Sequence, residues 1–288
     1  MRNPALLPAT AVRQARHQLL ETGHCPTTLV DPRIARSWQR SLAAGLSPGG
    51  RPRSAERLAS ATFAQAQERN EALLRHSLPA MEYLFEQVRR SHSMVILADR
   101  DGMLMHTLGD LDFLGRAERV ALASGACWHE DQRGTNAIGT ALAEGTDIEV
   151  HGAEHYLDKN GFLTCAAAPI FSAQGELLGI LDISGDQRGR HPHTLGLVST
   201  AARMVENSLV LAAHPQRTVL QLHPRPEGLG GIAQGLLALS QDGWLVGANR
   251  QALALLGLQA HDLRRVGSAG RWGGTEGRLR GQAHRTDG

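Results

Sequence analysis

The chain has 288 residues, room for two modest domains, and is 42% hydrophobic but only 4% aromatic, so a core must be built mainly from Leu, Ala, Val and Ile. A net charge of +2 excludes binding to nucleic acid through bulk charge, and no apolar run approaches the roughly 18 residues of a membrane-spanning helix. Three widely spaced cysteines, Cys25, Cys127 and Cys165, with no CxxC pair, argue against a disulfide framework and for a reducing, cytoplasmic compartment.

Residues 1–60 read as a helical arm and linker. Asp31 is a ready N-cap and Pro32 suits the first helical position. Ile34, Trp38 and Leu42 then recur at helical spacing until Gly45 stops the run. Arg33, Arg36, Arg40, Arg51, Arg53 and Arg57 crowd this stretch, which reads first as a solvated face. A second helical region is expected over about Ala61–Arg90, kinked or broken by Pro79. Strands at Met94–Ala98 and Met103–Thr107 flank an Asp101-Gly102 turn. A short helix over Arg116–Ser124 would end at Gly125. Thr135–Glu144 reads as a helix closed by Gly145, and Asp147–His151 as a short strand. Leu163–Phe171 and Glu176–Ser184 read as two apolar strands joined by the turn Ser172–Gly175.

Pro192–Ala213 is a long helix with two apolar stripes. One holds Leu195, Val198, Ala202, Val205, Leu209 and Ala212, the other Leu197, Ala201, Met204, Ser208 and Leu211. One stripe can pack on the sheet, leaving the other to pair with a second subunit, so a homodimer through Pro192–Ala213 is expected. Residues 214–231 are rich in Pro and Gly and read as a linker. Strand, turn and strand follow at Gly235–Ser240, Gln241–Gly243 and Trp244–Ala248, and then a helix at Asn249–Leu256. The glycine-rich tail, residues 263–288, reads as disordered.

Between residues 125 and 185 the chain concentrates rare polar and aromatic residues beside this small sheet, which suggests a pocket. Two motif matches fail on their chemistry. His151-Gly152-Ala153-Glu154-His155 fits H-x-x-E-H, but zinc hydrolysis needs that motif on a helix, and here a strand leads into it. Gly134–Ala141 has phosphate-loop glycine spacing, but Thr140 and Ala141 stand where Lys and Ser or Thr are required, so no ATPase, cofactor or metal site is expected.

Trp128 with Glu130, Gly134–Leu142, Gly152–Tyr156, Cys165–Ile170 and Leu181–Gly185 match, in order and spacing, the GAF sensor domain of sigma-54-dependent activators of acetoin and glycerol catabolism. Upstream, Ser37-Trp38-Gln39-Arg40-Ser41 and Gly45-Leu46 resemble the N-terminal signature of that family. The segment 232–262 resembles the opening of a PAS domain. The resemblance implies an α+β fold, a mainly antiparallel GAF sheet flanked by helices over residues 61–213, with no enzymatic activity. It implies a ligand site formed by Trp128, Glu130, Asn136, Thr140, His155, Cys165 and Asp182, and a small-molecule effector or metabolic partner protein as input. The family's AAA+ and helix-turn-helix domains have no counterpart in this sequence, so direct DNA binding is not expected, and the chain reads as a truncated regulator or an interfering partner of an intact one. A further alternative is a cysteine-dependent reductase of free methionine sulfoxide. That chemistry needs a thiolate stabilised by a neighbouring cation, such as His129 or His155.

Overall fold

A computed structural model describes residues 8–26, 30–52, 58–263 and the backbone of 280–285. Helices α1 (Ala9–Thr22) and α2 (Pro32–Ala43) form the arm. Helix α2 begins as expected: the Asp31 carboxylate accepts from the Arg33 amide at 2.8 Å, with Pro32 in the first turn. Next come α3 (Ser60–Arg69), α4 (Glu71–Val88), β1 (Ser93–Asp99), β2 (Leu104–Gly109), α5 (Leu111–Arg119), the single turn α6 (Glu130–Arg133) and α7 (Ala137–Glu144). Strands β3 (Ile148–His151), β4 (Leu163–Phe171) and β5 (Leu177–Asp186) complete a five-stranded antiparallel sheet in the order β2-β1-β5-β4-β3.

Both faces of this sheet are covered, which is why its central strands are apolar at nearly every position. Side chains alternate along a strand. Met94, Ile96 and Ala98 of β1 therefore share one core with Cys165 and Ala167 of β4, Ile180 of β5, the arm residues Ile34 and Trp38, and Ile138 of α7. Val95, Leu97, Ala166, Ala168, Leu181 and Ile183 point the other way, into a core closed by α4 and by α8 (Thr194–Ala213). The fold is thus the expected α+β arrangement, a mainly antiparallel sheet between helices. At the β1–β2 turn the Asp99 carboxylate accepts from the amides of Asp101 and Met103, and Gly102 supplies the φ of +78°.

Several elements differ from their sequence expectation. The second helical region divides at Asn70 rather than at Pro79, and α4 runs through the proline. Pro79 and Arg75 are both exposed, so the Arg75 carbonyl that the proline leaves without an intrahelical donor lies on the solvent side. Meanwhile Leu73, Ala80, Met81 and Leu84 hold the helix down. The expected Arg116–Ser124 helix lies earlier, at α5. Buried Phe113 and Ala117 anchor it one turn apart, and Ala121 ends it in a left-handed conformation at φ +54°. Gly125 is not its stop; its amide pairs instead with the Leu104 carbonyl.

Helix α8 packs one of its two stripes on the sheet. Val198, Ala202, Val205 and Leu209, together with Ala201, are buried in the chain's own core against α4 and the sheet, and Leu195 packs at its edge. The wide apolar face is therefore internal. Of the second stripe, Leu197 and Met204 stay partly covered, Leu211 is exposed, and Ser208 bonds His76.

Beyond α8, β6 (Thr218–His223), β7 (Gly235–Leu239), β8 (Leu245–Ala248) and β9 (Arg280–Arg285) form a second antiparallel sheet in the order β8-β7-β6-β9, with α9 (Arg250–Leu256) against it. The strand–turn–strand–helix reading of 235–256 holds. Strand β6 lies within the stretch read as a linker, because Pro215 and Pro224 bracket a six-residue run that can still pair. Strand β9 lies within the tail read as disordered; residues 264–279 and 286–288 lie outside the described residues. The second sheet is fixed to α8 by a small core of Ala173, Val210, Val219, Leu236 and Ala238. Buried Glu206 adds to this by pairing with Arg250 at 2.8 Å and accepting the Phe171 amide.

Candidate functional site

The glycine-rich segment after Trp128 is built for close packing. Asn136 caps α7 by accepting from the Gly139 amide at 2.9 Å, and its own amide donates to the carbonyls of Trp128 and Gly134. A Cβ on Gly139 would stand 2.9 Å from both the Glu130 nitrogen and the Trp128 oxygen. The motif with phosphate-loop spacing therefore clamps a loop onto a helix. Trp128 is buried. Its indole N–H donates to the Ala121 carbonyl at 2.9 Å, and the Arg133 guanidinium lies over its ring.

Glu130 is the meeting point of the arm and the α6–α7 segment. Its Oε1 accepts from the hydroxyls of Ser37 and Thr140, and Arg40 closes on it from the side. Arg40 also reaches Glu144 at 2.8 Å. Hydrogen bonds from Arg36 and then Arg40 hold the Glu144 carboxyl below the usual carboxylate range. Further along, Arg16 of α1 is buried and donates to the carbonyls of His155 and Tyr156 at 2.6 and 2.8 Å, and it pairs with Asp158. Trp38 donates to the Glu154 carbonyl, and the Tyr156 hydroxyl to the Leu46 carbonyl. Part of the basic stretch read as a solvated face is thus a clamp over residues 130–158.

Under that clamp lies a buried polar chain. His155 Nδ1 is 3.1 Å from the Gly152 carbonyl and its Nε2 is 3.6 Å from Cys165 Sγ. Ser184 Oγ stands 3.0 Å from Cys165 Sγ and 2.6 Å from Asp182 Oδ2. Asp182 Oδ1 is buried and has no hydrogen-bond partner. Burial pushes the Asp182 carboxyl up to about 7, holds His155 down at about 4, and lifts the Cys165 thiol well above its ordinary value, with the Asp182 charge adding to that last effect. Neutral groups satisfy the chain in one direction. With Asp182 ionised, the Ser184 hydroxyl donates to its Oδ2; with Asp182 protonated, its hydroxyl donates to Ser184, Ser184 to Cys165, Cys165 to His155 Nε2, and His155 Nδ1–H to the Gly152 carbonyl. An ionised Asp182 would take the Ser184 proton for itself and break that order.

This arrangement disfavours a thiolate at both Cys165 and Cys127. Cys165 is buried beside a carboxyl and a neutral imidazole, and burial also raises the Cys127 thiol. The reductase alternative finds no support. The H-x-x-E-H residues diverge as well. Glu154 accepts from the His151 amide at 2.7 Å, burial raises its carboxyl to about 7, and His155 turns inward to Cys165. No cluster able to hold a metal occurs among the described residues.

Of the residues singled out from sequence, His155, Cys165 and Asp182 come together through Ser184, and Glu130 and Thr140 come together at the arm. Trp128 and Asn136 join through the Trp128 carbonyl and shape the loop between. Sequence reasoning missed Ser37, Arg40 and Arg16, which reach across from the arm, and buried Arg133. The Ser37–Ser41 block carried a signal as a motif, but which groups it would meet depends on docking of the arm.

Residues 8–207 match the family model described as MimR, N-terminal domain. The chain belongs to that family. The match takes in the arm, the clamp, the first sheet and most of α8. The chain is 34% identical over 193 residues to the acetoin dehydrogenase operon transcriptional activator AcoR of Bacillus subtilis, covering 67% of this chain and 31% of that protein. It is 33% identical over 231 residues to the acetoin catabolism regulatory protein of Cupriavidus necator, covering 78% and 34%. To the propane 2-monooxygenase operon transcriptional activator MimR of Mycolicibacterium smegmatis it is 28% identical over 213 residues, covering 73% and 35%. The chain therefore spans about a third of the length of these relatives, which are transcriptional regulators. The aligned region is the sensory N-terminal domain of such regulators. Among solved structures, the Escherichia coli DhaR(N)–DhaL complex contains a chain of the same fold, with a TM-score of 0.60, 19% identity, and coverage of 83% of this chain and 81% of that one. No helix among the described residues is long and apolar enough to cross a membrane.

Proposed function

We propose that this chain is the input module of a sigma-54-type regulator of small-molecule catabolism, and that its input is a small, neutral, hydroxylated metabolite of the acetoin or polyol kind. The observation that carries this reading is the unpartnered, fully buried Oδ1 of Asp182 at the end of a chain of neutral groups. A buried acceptor without a donor costs about 1–3 kcal/mol, and a ligand hydroxyl would recover that. His155 and Cys165 set the polarity of the site. Glu130 and Thr140 tie it to the arm, and Trp128 and Asn136 keep the intervening loop in shape. A ligand entering from this side lifts the arm and reseats Ser37, Arg40 and Arg16, which gives binding a mechanical consequence.

The domain division that goes with this reading is an arm over 1–60, a GAF sensor over 61–213, and a PAS-like unit whose first strand begins within 214–231. A second reading takes a metabolic protein as the input, favoured by the fold neighbour having been solved as a complex of DhaR(N) with DhaL. A homodimer is proposed through the outer stripe of α8, where Leu211 is exposed, as are Tyr83 and Ile232 beside Leu197 and Met204 further up the helix. Thermal unfolding with acetoin, dihydroxyacetone and glycerol tests the metabolite reading, since a ligand of the folded state alone raises the melting temperature by mass action.

A further inference from the structure

On the opposite face of the first sheet, the C-terminal end of α4 and the start of α8 diverge around a cavity of about 450 Å³. That lies within the roughly 300–1,000 Å³ common for small-molecule pockets. Its lining is apolar at Val88, Ala166, Ile183 and Leu197, with Ser93, Thr164, Cys165 and Thr194 beside them. The mouth carries Arg190, His191 and His193, with Glu149 as its acidic member. Glu149 is engaged by Arg190 through Nε and Nη2, a pair in which Nη1 takes no part. Helix α8 enters the mouth with its first turn, which has no side-chain cap and no acidic residue. Hydrophobic walls below and donors or cations above suit an amphiphile with one negative end.

We propose that this cavity is a second ligand site, across the first sheet from the side chains of the Asp182 chain and touching it only at Cys165, and that it takes a small monocarboxylate with a short branched aliphatic body. The body lies on Val88, Ile183 and Leu197, and the carboxylate faces Arg190, His193 and the first turn of α8. The site sits between α4 and α8, and α8 also carries Glu206, the link to the second sheet. Occupancy therefore bears on the helix that joins the two sheets. This goes beyond the proposed metabolite input and does not depend on it.

The test is calorimetric titration of the whole chain with 4-methylpentanoate and with its uncharged amide, with hydrogen exchange to place the binding. Saturable binding of the acid is expected, with protection at Ser91–Ser93 and Thr194–Leu197, and binding of the amide about tenfold weaker. Thr194→Glu puts an acid at the helix start, where it favours the helix itself. It is expected to weaken the acid by about tenfold through like-charge repulsion while leaving the melting temperature unchanged or higher. Leu197→Trp is expected to abolish binding of both probes by filling the cavity. Equal affinity for acid and amide, full binding by Thr194→Glu, protection at residues 152–158 instead, or no saturable binding of the acid each overturns the proposal.

Discussion

At the residue scale, the interior of the sensor is defined by which groups are neutral. Asp182 has its carboxyl raised to about 7 in the folded state against about 4 when unfolded. Its contribution to stability is therefore fully present below about pH 4 and is lost as pH rises towards 7. Glu154, also raised to about 7, acts in the same direction. His155, lowered to about 4 by burial, acts oppositely: its neutral form is favoured, so its contribution grows between about pH 4 and 6.5. Asp182→Asn isolates one of these, because the amide can donate to Ser184 as the protonated acid does. Relative to wild type, the variant is expected to gain at least about 1 kcal/mol between pH 4.5 and 7.5, read from urea melts. A pH-independent difference would show that Asp182 is ionised in the folded protein.

At the element scale, the arm and α8 carry the claims. Arg16→Ala removes donors to two carbonyls and an ion-pair partner of Asp158. It is expected to cost the arm about 2 kcal/mol of local stability, seen as faster hydrogen exchange in α1 with β1, β4 and β5 unchanged. Uniformly faster exchange across the sheet would mean that arm and sensor unfold as one unit. Val205→Glu buries a charge in the chain's own core and is expected to cost several kcal/mol at any protein concentration. Leu211→Glu, on the exposed stripe, is expected to leave the melting temperature within about 1 kcal/mol of wild type in stability terms while weakening self-association by light scattering. An unchanged association in Leu211→Glu places any seam elsewhere.

What the sequence made legible follows the same division of scale. Strands β1, β4 and β5 were readable because burial on both faces writes a continuous apolar run, and α2 because Asp31-Pro32 is a local start signal. The α5 boundary was not, since Gly115 interrupts its pattern and Leu111 at its start is exposed. Pro79 misled because solvent, not sequence, decides whether a freed carbonyl is tolerated. For the site, His155, Cys165 and Asp182 stood out as rare polar residues, but Ser37 and Arg16 reach their partners across about a hundred residues or more of chain, at separations that no local pattern encodes. Strand β6 escaped notice because its flanking prolines outweighed its six residues.

At the scale of the whole molecule, two antiparallel sheets share one helix. The Glu206–Arg250 pair and the Ala173 core join the second sheet to the back of α8, while the arm closes the front of the first sheet. Arg250→Ala leaves the Glu206 carboxylate buried without its partner, at a cost of about 3–5 kcal/mol, and is expected to loosen β7 and α9 before the first sheet by hydrogen exchange. The measurement that bears most directly on the sensor reading is thermal unfolding with acetoin, dihydroxyacetone or glycerol in wild type, Asp182→Asn and Asp182→Leu. The expected result is a ligand-dependent rise in melting temperature for wild type and Asp182→Asn, which both present an acceptor oxygen, and none for Asp182→Leu, which keeps the volume but not the acceptor. An equal rise in all three, or no rise in the wild type with any of these ligands, would contradict a hydroxylated metabolite held at Asp182.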